Sequence, residues 1–304
     1  MEVKKNFFRI KDPIAEPTNS GDTPGALCVL QKLNIFKTTM KDIDRRSFFR
    51  KSLLSAGGVV VAPLALGETK EMMAGNRKVT SPKVIFFDVN ETLLDLTPLK
   101  ESVTRVLGGR KELVPLWFTT MLQFSLVATV GDQYRDFGEI GAATLQMVAR
   151  NHNISLTEEK AKGALKPIHS LPAHPEVPEA LGRLKNAGYT LVTLTNSSKQ
   201  AVEEQMANSG LRKYFEALLS IEEVGMYKPH SRLYNWAIRK MGVSPSESLL
   251  VAAHGWDVAG AQWAGWQTAF ISRPGQQLYP LAGNPEIVAP DLAQIAEKLM
   301  AAKR

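Results

Sequence analysis

Val84-Ile85-Phe86-Phe87-Asp88-Val89-Asn90-Glu91-Thr92-Leu93-Leu94-Asp95 decides the fold class of this chain. Four successive apolar residues without polar alternation predict a strand buried on both faces, as in a parallel sheet. The run stops at a carboxylate, Asp88, and a short polar segment follows, Asn90-Glu91-Thr92. Ligands of open α/β sheets bind just beyond the carboxyl ends of the strands. Asp88 stands at such an end, and Glu91 can face the same crevice. A strand-ending Asp can equally cap the next turn, and this stretch alone leaves both readings open.

Downstream, residues 97–178 read as a helical block. Pro98 to Leu107 and Glu112 to Val130 carry apolar residues at mixed three- and four-residue spacing, and the second segment is apolar nearly all round. A surface helix needs one apolar stripe, so this helix is expected to be buried or to line a pocket. Tyr134-Arg135-Asp136-Phe137 opens a helix that runs to about Asn151, and Thr157 to Leu165 makes a shorter one. The expected architecture is therefore a Rossmann-like parallel α/β core, residues 81–96 and 179–304, with an α-helical cap inserted after the first strand.

Beyond residue 178 the chain alternates strand and helix. Tyr189 to Leu194 is a strand that delivers Thr195-Asn196-Ser197-Ser198 to its carboxyl end, where these residues also suit helix capping. A short strand at Phe215 to Ile221 precedes Tyr227-Lys228-Pro229, and Lys228, ahead of a proline, is extended or in a turn. Leu249 to Ala253 is a buried run ending in His254-Gly255-Trp256-Asp257, and Gln267 to Ile271 is the last expected strand. His152, His169, His174 and His230 read as surface or capping residues. His254 differs, because it stands at a strand end as Asp88 does.

Composition narrows the function. With 304 residues and 44% hydrophobic content the chain can bury a large core. Residues 1–80 hold 14 Lys/Arg and 8 Asp/Glu of the chain's 37 and 30, which leaves residues 81–304 with 23 and 22. The basicity belongs to the leader, so no nucleic-acid partner is expected. The single cysteine, Cys28, lies there too, which removes disulfides, thiolate metal sites and a cysteine nucleophile from the folded part. Within the leader, Asp44-Arg45-Arg46-Ser47-Phe48-Phe49-Arg50-Lys51 and the apolar Ser52 to Leu66 segment resemble a twin-arginine export signal at about 40–67. Met40 is then a candidate start, the export machinery an expected partner, and the periplasm or another exported location the expected destination.

Four strand ends thus supply Asp88 and Glu91, Thr195 and Asn196, Lys228, and His254 and Asp257. This order resembles the haloacid dehalogenase superfamily, and more narrowly its type II 2-haloacid dehalogenases, over residues 83 to about 300. The superfamily pattern is Asp-x-Asp-x-Thr, then Ser or Thr, a Lys, and a final acid pair. Here Asn90 replaces the second aspartate, and Ala252-Ala253-His254 precedes a lone Asp257. In the family's phosphatases the replaced acids serve proton transfer and magnesium, so neither a metal nor another cofactor is expected. Leu194 to Ser198, Tyr227-Lys228-Pro229 with Tyr234, and Trp256 to Ala261 resemble the dehalogenase motifs closely. Glu91 with His254 fits a branch that pairs the two.

The resemblance implies a mechanism. Asp88 displaces halide from carbon and forms an ester, and Lys228 keeps it ionised and in line. Asn196, with or without Thr195, stabilises the halide or the substrate carboxylate. His254, as a base near neutral pKa oriented by Glu91, activates the water that hydrolyses the ester. Tyr234 and Asp257 position Lys228 and the nucleophile, and Tyr234 is also assigned to the substrate pocket. For Asp257 a helix N-cap remains an equal alternative. Trp117, Phe118, Leu122 and Phe137 form a small apolar lid, and Trp256 lines the same pocket. Many relatives carry an arginine where Phe118 stands, so help to the halide falls to Asn196, Lys228 or Arg135. The expected reaction converts short L-2-haloacids to D-2-hydroxy acids. A phosphate-ester hydrolase and a non-catalytic exported binding protein are the alternatives, and the sequence leaves a homodimer open.

Overall fold

The computed structural model describes residues 81–303. The leader, with Cys28 and the expected export signal, lies outside the described residues. Six strands form one parallel sheet in the order β3-β2-β1-β4-β5-β6. They are β1 (Val84–Phe87), β2 (Thr190–Thr195), β3 (Ala217–Ser220), β4 (Ser248–Ala252), β5 (Gln267–Ile271) and β6 (Ile287–Ala289).

β1 is central, paired on one side with β2 and on the other with β4, so that Phe87 lies level with both Thr193 and Val251. Its side chains alternate between the two faces. Phe86 packs on Trp266 at a ring separation of 4.6 Å, and Phe87 packs on Phe215 at 5.9 Å. Strand order reverses between β1 and β4, which makes their carboxyl ends the crevice in which such sheets bind ligands. Asp88 and His254 stand on its two sides.

Between β1 and β2 lie α1 (Thr97–Val106), α2 (Leu113–Val130), α3 (Phe137–Asn151) and α4 (Glu158–Leu165). These four pack chiefly on one another, as expected of an inserted helical block. α5 (Val177–Asn186), α6 (Lys199–Asn208), α7 (Ser231–Met241), α8 (Gly255–Trp263) and α9 (Leu292–Ala302) complete the core. Gly188, with φ +82°, lets the chain turn from α5 into β2.

β6 goes beyond the sequence reading, because three residues on an edge carry too little pattern to stand out. α2 is not wholly buried, and it lines cavities, as the sequence reading allowed. Trp117, Met121, Ser125 and Thr129, four residues apart, face inward, while Leu116, Leu126, Val127 and Val130 are exposed.

Candidate active site

The backbone N–H of Asp88 donates to Val251 O at 3.0 Å, which fixes the carboxylate at the seam of β1 and β4. Its two oxygens have different partners. Oδ1 accepts from Lys228 Nζ at 3.1 Å, and Lys228 Nζ also donates to Asp257 Oδ2 at 2.6 Å. Behind Asp257, the Tyr234 hydroxyl donates to Oδ1 at 2.6 Å. Oδ2 of Asp88 accepts from Thr92 Oγ1 at 2.7 Å, and His254 Nδ1 lies 3.1 Å from the same oxygen. Thr92 is itself fixed by the N–H of Ala253, 2.9 Å from its hydroxyl.

The far side of the imidazole faces a second carboxylate. His254 Nε2 lies 3.3 Å from Glu91 Oε2, too far out of line for a hydrogen bond but within ion-pair range. Glu91 adopts a left-handed backbone, φ +65°, uncommon for a residue with a side chain. Its N–H donates to Leu94 O and its carbonyl accepts from His174 Nε2, both at 3.0 Å. Lys100 Nζ donates to Glu91 Oε1 and Gln276 Nε2 to Oε2, each at 2.7 Å.

These contacts set the charge states. Burial pushes the Asp88 carboxyl up, but Lys228, His254 and Thr92 together outweigh it and hold the group well below the usual carboxylate range. Glu91 follows the same logic, with burial overridden by His254 and Lys100, and falls to about 2. Burial opposes the charge on Lys228, yet Asp257 and Asp88 raise its pKa. Burial, together with the charge of Asp88, pushes Asp257 up despite Lys228. For His254 burial favours the neutral ring, but Asp88 and Glu91 reverse this and lift it to about 9. The resting ring is therefore an imidazolium rather than the near-neutral base that the sequence suggests. An imidazole lone pair facing either carboxylate would be repelled, so the two contacts also favour the doubly protonated ring.

Asp88, Glu91, Lys228, His254 and Asp257 thus meet as one cluster, and the choice left open for Asp257 is resolved. It is the third residue of α8, beyond the N-cap position at His254, and its carboxylate holds Lys228 and Tyr234 instead of capping. Tyr234 is fully buried behind Asp257 and does not reach a pocket. The Thr195 hydroxyl accepts from Ser197 N at 3.1 Å, so it secures its own turn. Asn196 Oδ1 accepts from Lys228 N at 3.1 Å, which leaves its amide N–H groups as the donors it can offer a ligand. Arg135 is exposed, its carbonyl accepts from the Tyr227 hydroxyl, and it is not among the residues lining the two cavities beside Trp117 and Phe118. Thr92, Lys100, His174 and Gln276 were not singled out as site residues; Thr92 is the Thr that closes the Asp-x-Asp-x-Thr pattern, whereas the contacts of Lys100, His174 and Gln276 with Glu91 leave no pattern in sequence.

Lys228 lines one cavity with Trp256 and Leu122, and two others lie between the core and Trp117 and Phe118 of the cap. The smaller, about 90 Å³, lies between Asn90 and Ser197 of the core and Trp117, Phe118 and Phe137 of the cap. The larger, about 590 Å³, reaches Glu91, His254, Trp256, Leu122 and Gln276. Trp117 and Phe118 border both, whereas Leu122 lines only the larger of these two. Phe118 and Trp256 stack against the His254 ring, with centroids 6.1 and 5.1 Å away. The Trp117 indole N–H is spent on Gly141 O at 2.9 Å.

The donor set does not fit a divalent cation. Asn90 replaces a carboxylate, and its amide is engaged by Gln205 at 2.9 Å and Ser197 at 3.2 Å. Ala252 and Ala253 offer no side-chain oxygen, and the Lys228 ammonium sits between Asp88 and Asp257. Hard cations require several oxygen ligands free to converge.

Comparison with known proteins agrees with this geometry. An (S)-2-haloacid dehalogenase of Pseudomonas sp. (strain YL) is 28% identical over 216 residues, covering 71% of this chain and 93% of that one. A haloacetate dehalogenase H-2 of Moraxella sp. (strain B) is 29% identical over 209 residues, covering 68% and 93%. Among solved structures, an L-2-haloacid dehalogenase of Xanthobacter autotrophicus with chloropropionic acid covalently bound superposes with a TM-score of 0.66. It is 23% identical, covers 71% of this chain and 97% of that one, and shows the shared fold. The family model for haloacid dehalogenase-like hydrolases matches residues 82–265, more than half of the sequence, and the chain belongs to that family.

Proposed function

We propose that this hydrolase cleaves the carbon–halogen bond of short L-2-haloacids and yields D-2-hydroxy acids through an ester on Asp88. The asymmetry of the Asp88 carboxylate carries the reading. Oδ2 accepts from both Thr92 and His254, whereas Oδ1 accepts from Lys228 alone and retains a lone pair for attack. Oδ1 bonds to C2 from the side opposite the halogen, the carbon–halogen pair leaves as halide, and the centre inverts. Asn196 offers its amide N–H groups to the halide or the substrate carboxylate.

Once the ester has neutralised Asp88, the His254 imidazolium releases its Nδ1 proton to solvent; in the second step water attacks Cγ of Asp88 and the freed Nδ1 takes one of its protons. The tetrahedral intermediate expels the alkoxide, which recovers that proton, and the second proton of the water passes from the new carboxyl group to His254 Nδ1, so that Asp88 returns as a carboxylate beside an imidazolium. The Thr92 hydroxyl faces the ester carbonyl oxygen, where negative charge develops. Nε2–H faces Glu91, which orients the ring. The small cavity takes the alkyl chain. A cavity of about 150 Å³ accommodates benzene, so one of about 90 Å³ suits a chain of two or three carbons.

Halide release from L- and D-chloro- and bromo-acids, with and without chelator, tests this function. Release from the L acids that survives chelation supports it, while phosphate release requiring magnesium would favour the alternative hydrolase. His254→Ala should trap the ester as a mass increase on Asp88, and rapid complete turnover by that variant would refute its role as the base. Export rests on residues 44–66 alone. A trimmed periplasmic product supports it, and a full-length cytoplasmic product opposes it.

A further inference from the structure

The second half-reaction depends on one orientation of one ring, and the contacts around Glu91 show what fixes it. His254 can accept a proton at Nδ1 only while Nε2 keeps its own, and Glu91 Oε2, 3.3 Å away, is the group that holds it there. That carboxylate does not fix itself. Its imidazole contact is out of line, so its plane must be set by its other two partners. Gln276 donates to the same oxygen that faces His254, and Lys100 to the opposite one, both at 2.7 Å. The donor at Oε2 is a neutral amide, which orients the oxygen without competing with the imidazolium for charge.

The two donors come from different places. Lys100 is on α1, the first helix after β1, with its side chain half exposed. Gln276 is on the connection that follows β5, and the close approach of that segment to α8 explains a glycine beside the base. A Cβ at Gly255 would lie 2.2 Å from Gln277 O and 3.0 Å from Leu278 Cα, both backbone atoms that cannot yield cheaply. Only glycine lets the segment press onto the residue after His254 and bring Gln276 to Glu91. The other charged groups around the ring are Asp88 at Nδ1 and, beyond it, Lys228 and Asp257. Its faces are covered by Phe118 and Trp256.

We propose that Gln276 and Lys100 are positioning residues for ester hydrolysis, acting through Glu91 on His254 and leaving halide displacement untouched. This rests on the dehalogenase reading above. The test is steady-state and quenched-flow kinetics on the full chain with L-2-chloropropionate, comparing wild type, Gln276→Leu, Lys100→Met and Lys100→Arg.

When only the second of two steps slows, kcat and KM fall together and kcat/KM stays constant. Base assistance is worth roughly 10²–10⁴-fold, so losing the orienting amide should lower kcat by about tenfold or more. The ester on Asp88 should then accumulate in quenched protein. Lys100→Met should act in the same direction, and Lys100→Arg should restore turnover. A fall of kcat/KM in step with kcat, or no change in kcat or ester fraction, would overturn the proposal. A wild-type protein that releases no halide and forms no adduct would instead overturn the dehalogenase reading beneath it.

Discussion

Replacing Asp88 by Asn should turn His254 from an acid into a base. The imidazolium persists in a fully buried place because Asp88 and Glu91 lift its pKa from 6.5 to about 9. That displacement corresponds to about 3 kcal/mol of preference for the charged ring. An opposite charge within contact distance accounts for roughly 1–3 pH units of such a shift, so losing Asp88 should bring His254 down by that much, into the neutral range. Asn is nearly isosteric with Asp and uncharged, as the esterified Asp88 is, so the variant reports what the first step does to the base. Esterification would then convert His254 from a proton donor at Oδ2 to a base just when the ester needs water activated.

The assay is an NMR titration of ring-labelled histidines, with the resonance assigned through His254→Gln. Stability gives a second readout. The folded pKa of His254 is raised above its unfolded value, so its contribution is fully present below 6.5 and is lost as pH rises through about 9. Urea melts of the wild type should weaken over that window by up to about 3 kcal/mol, and those of Asp88→Asn by less. A wild-type His254 that titrates near 6.5, or one that stays near 9 in Asp88→Asn, would refute this coupling.

Other perturbations reach different parts of the site. Lys228→Met leaves Asp88 and Asp257 buried without their cation, and breaking such a pair costs about 3–5 kcal/mol; urea melts should show that loss, and quenched protein should carry no ester. Gly260→Ala would place a Cβ 2.4 Å from Pro229 Cβ and 2.7 Å from Tyr234 Oη. Overpacking of this kind costs about 1–3 kcal/mol, and here it should also lower kcat/KM by dislodging the tyrosine that fixes Asp257. Phe118→Ala would join the small cavity to the larger one, so the ratio of kcat/KM for four-carbon over two-carbon acids should rise.

What the sequence disclosed about the site depended on how each residue is placed. Asp88 and His254 follow buried apolar runs, and a strand's pattern marks where it ends. Lys228 was locatable because a proline pins its surroundings, and Glu91 because it is three residues from the nucleophile. The donors that make these groups work had no such marker. Gln276 reaches Glu91 across 185 positions and Arg273 reaches the carbonyl of Thr92 across 181. Neither distance has a period. The two readings of Asp257 show the same limit: an acid near a helix start suggests a cap, and only the packing of Lys228 and Tyr234 against it shows otherwise. The charge of His254 was missed for a related reason, since a residue's ordinary pKa says nothing about two carboxylates brought to its opposite edges.

In the proposed reaction one carboxylate serves two steps through two oxygens with separate partners. On the Oδ1 side, Lys228, Asp257 and Tyr234 form a buried chain that keeps Asp88 ionised and the attacking oxygen in place. On the Oδ2 side, Thr92 and His254 face the atom that would become the ester carbonyl, with Glu91 behind the imidazole. A family phosphatase uses the same strand ends to gather acids around a cation. Here Asn90 is tied down by Gln205 and Ser197, and Lys228 occupies the place between the acids. A fixed ammonium can hold a carboxylate in line but does not activate water. In the proposed mechanism the position after Ala253 supplies the base, and His254 there is a side chain able to release a proton and take one back.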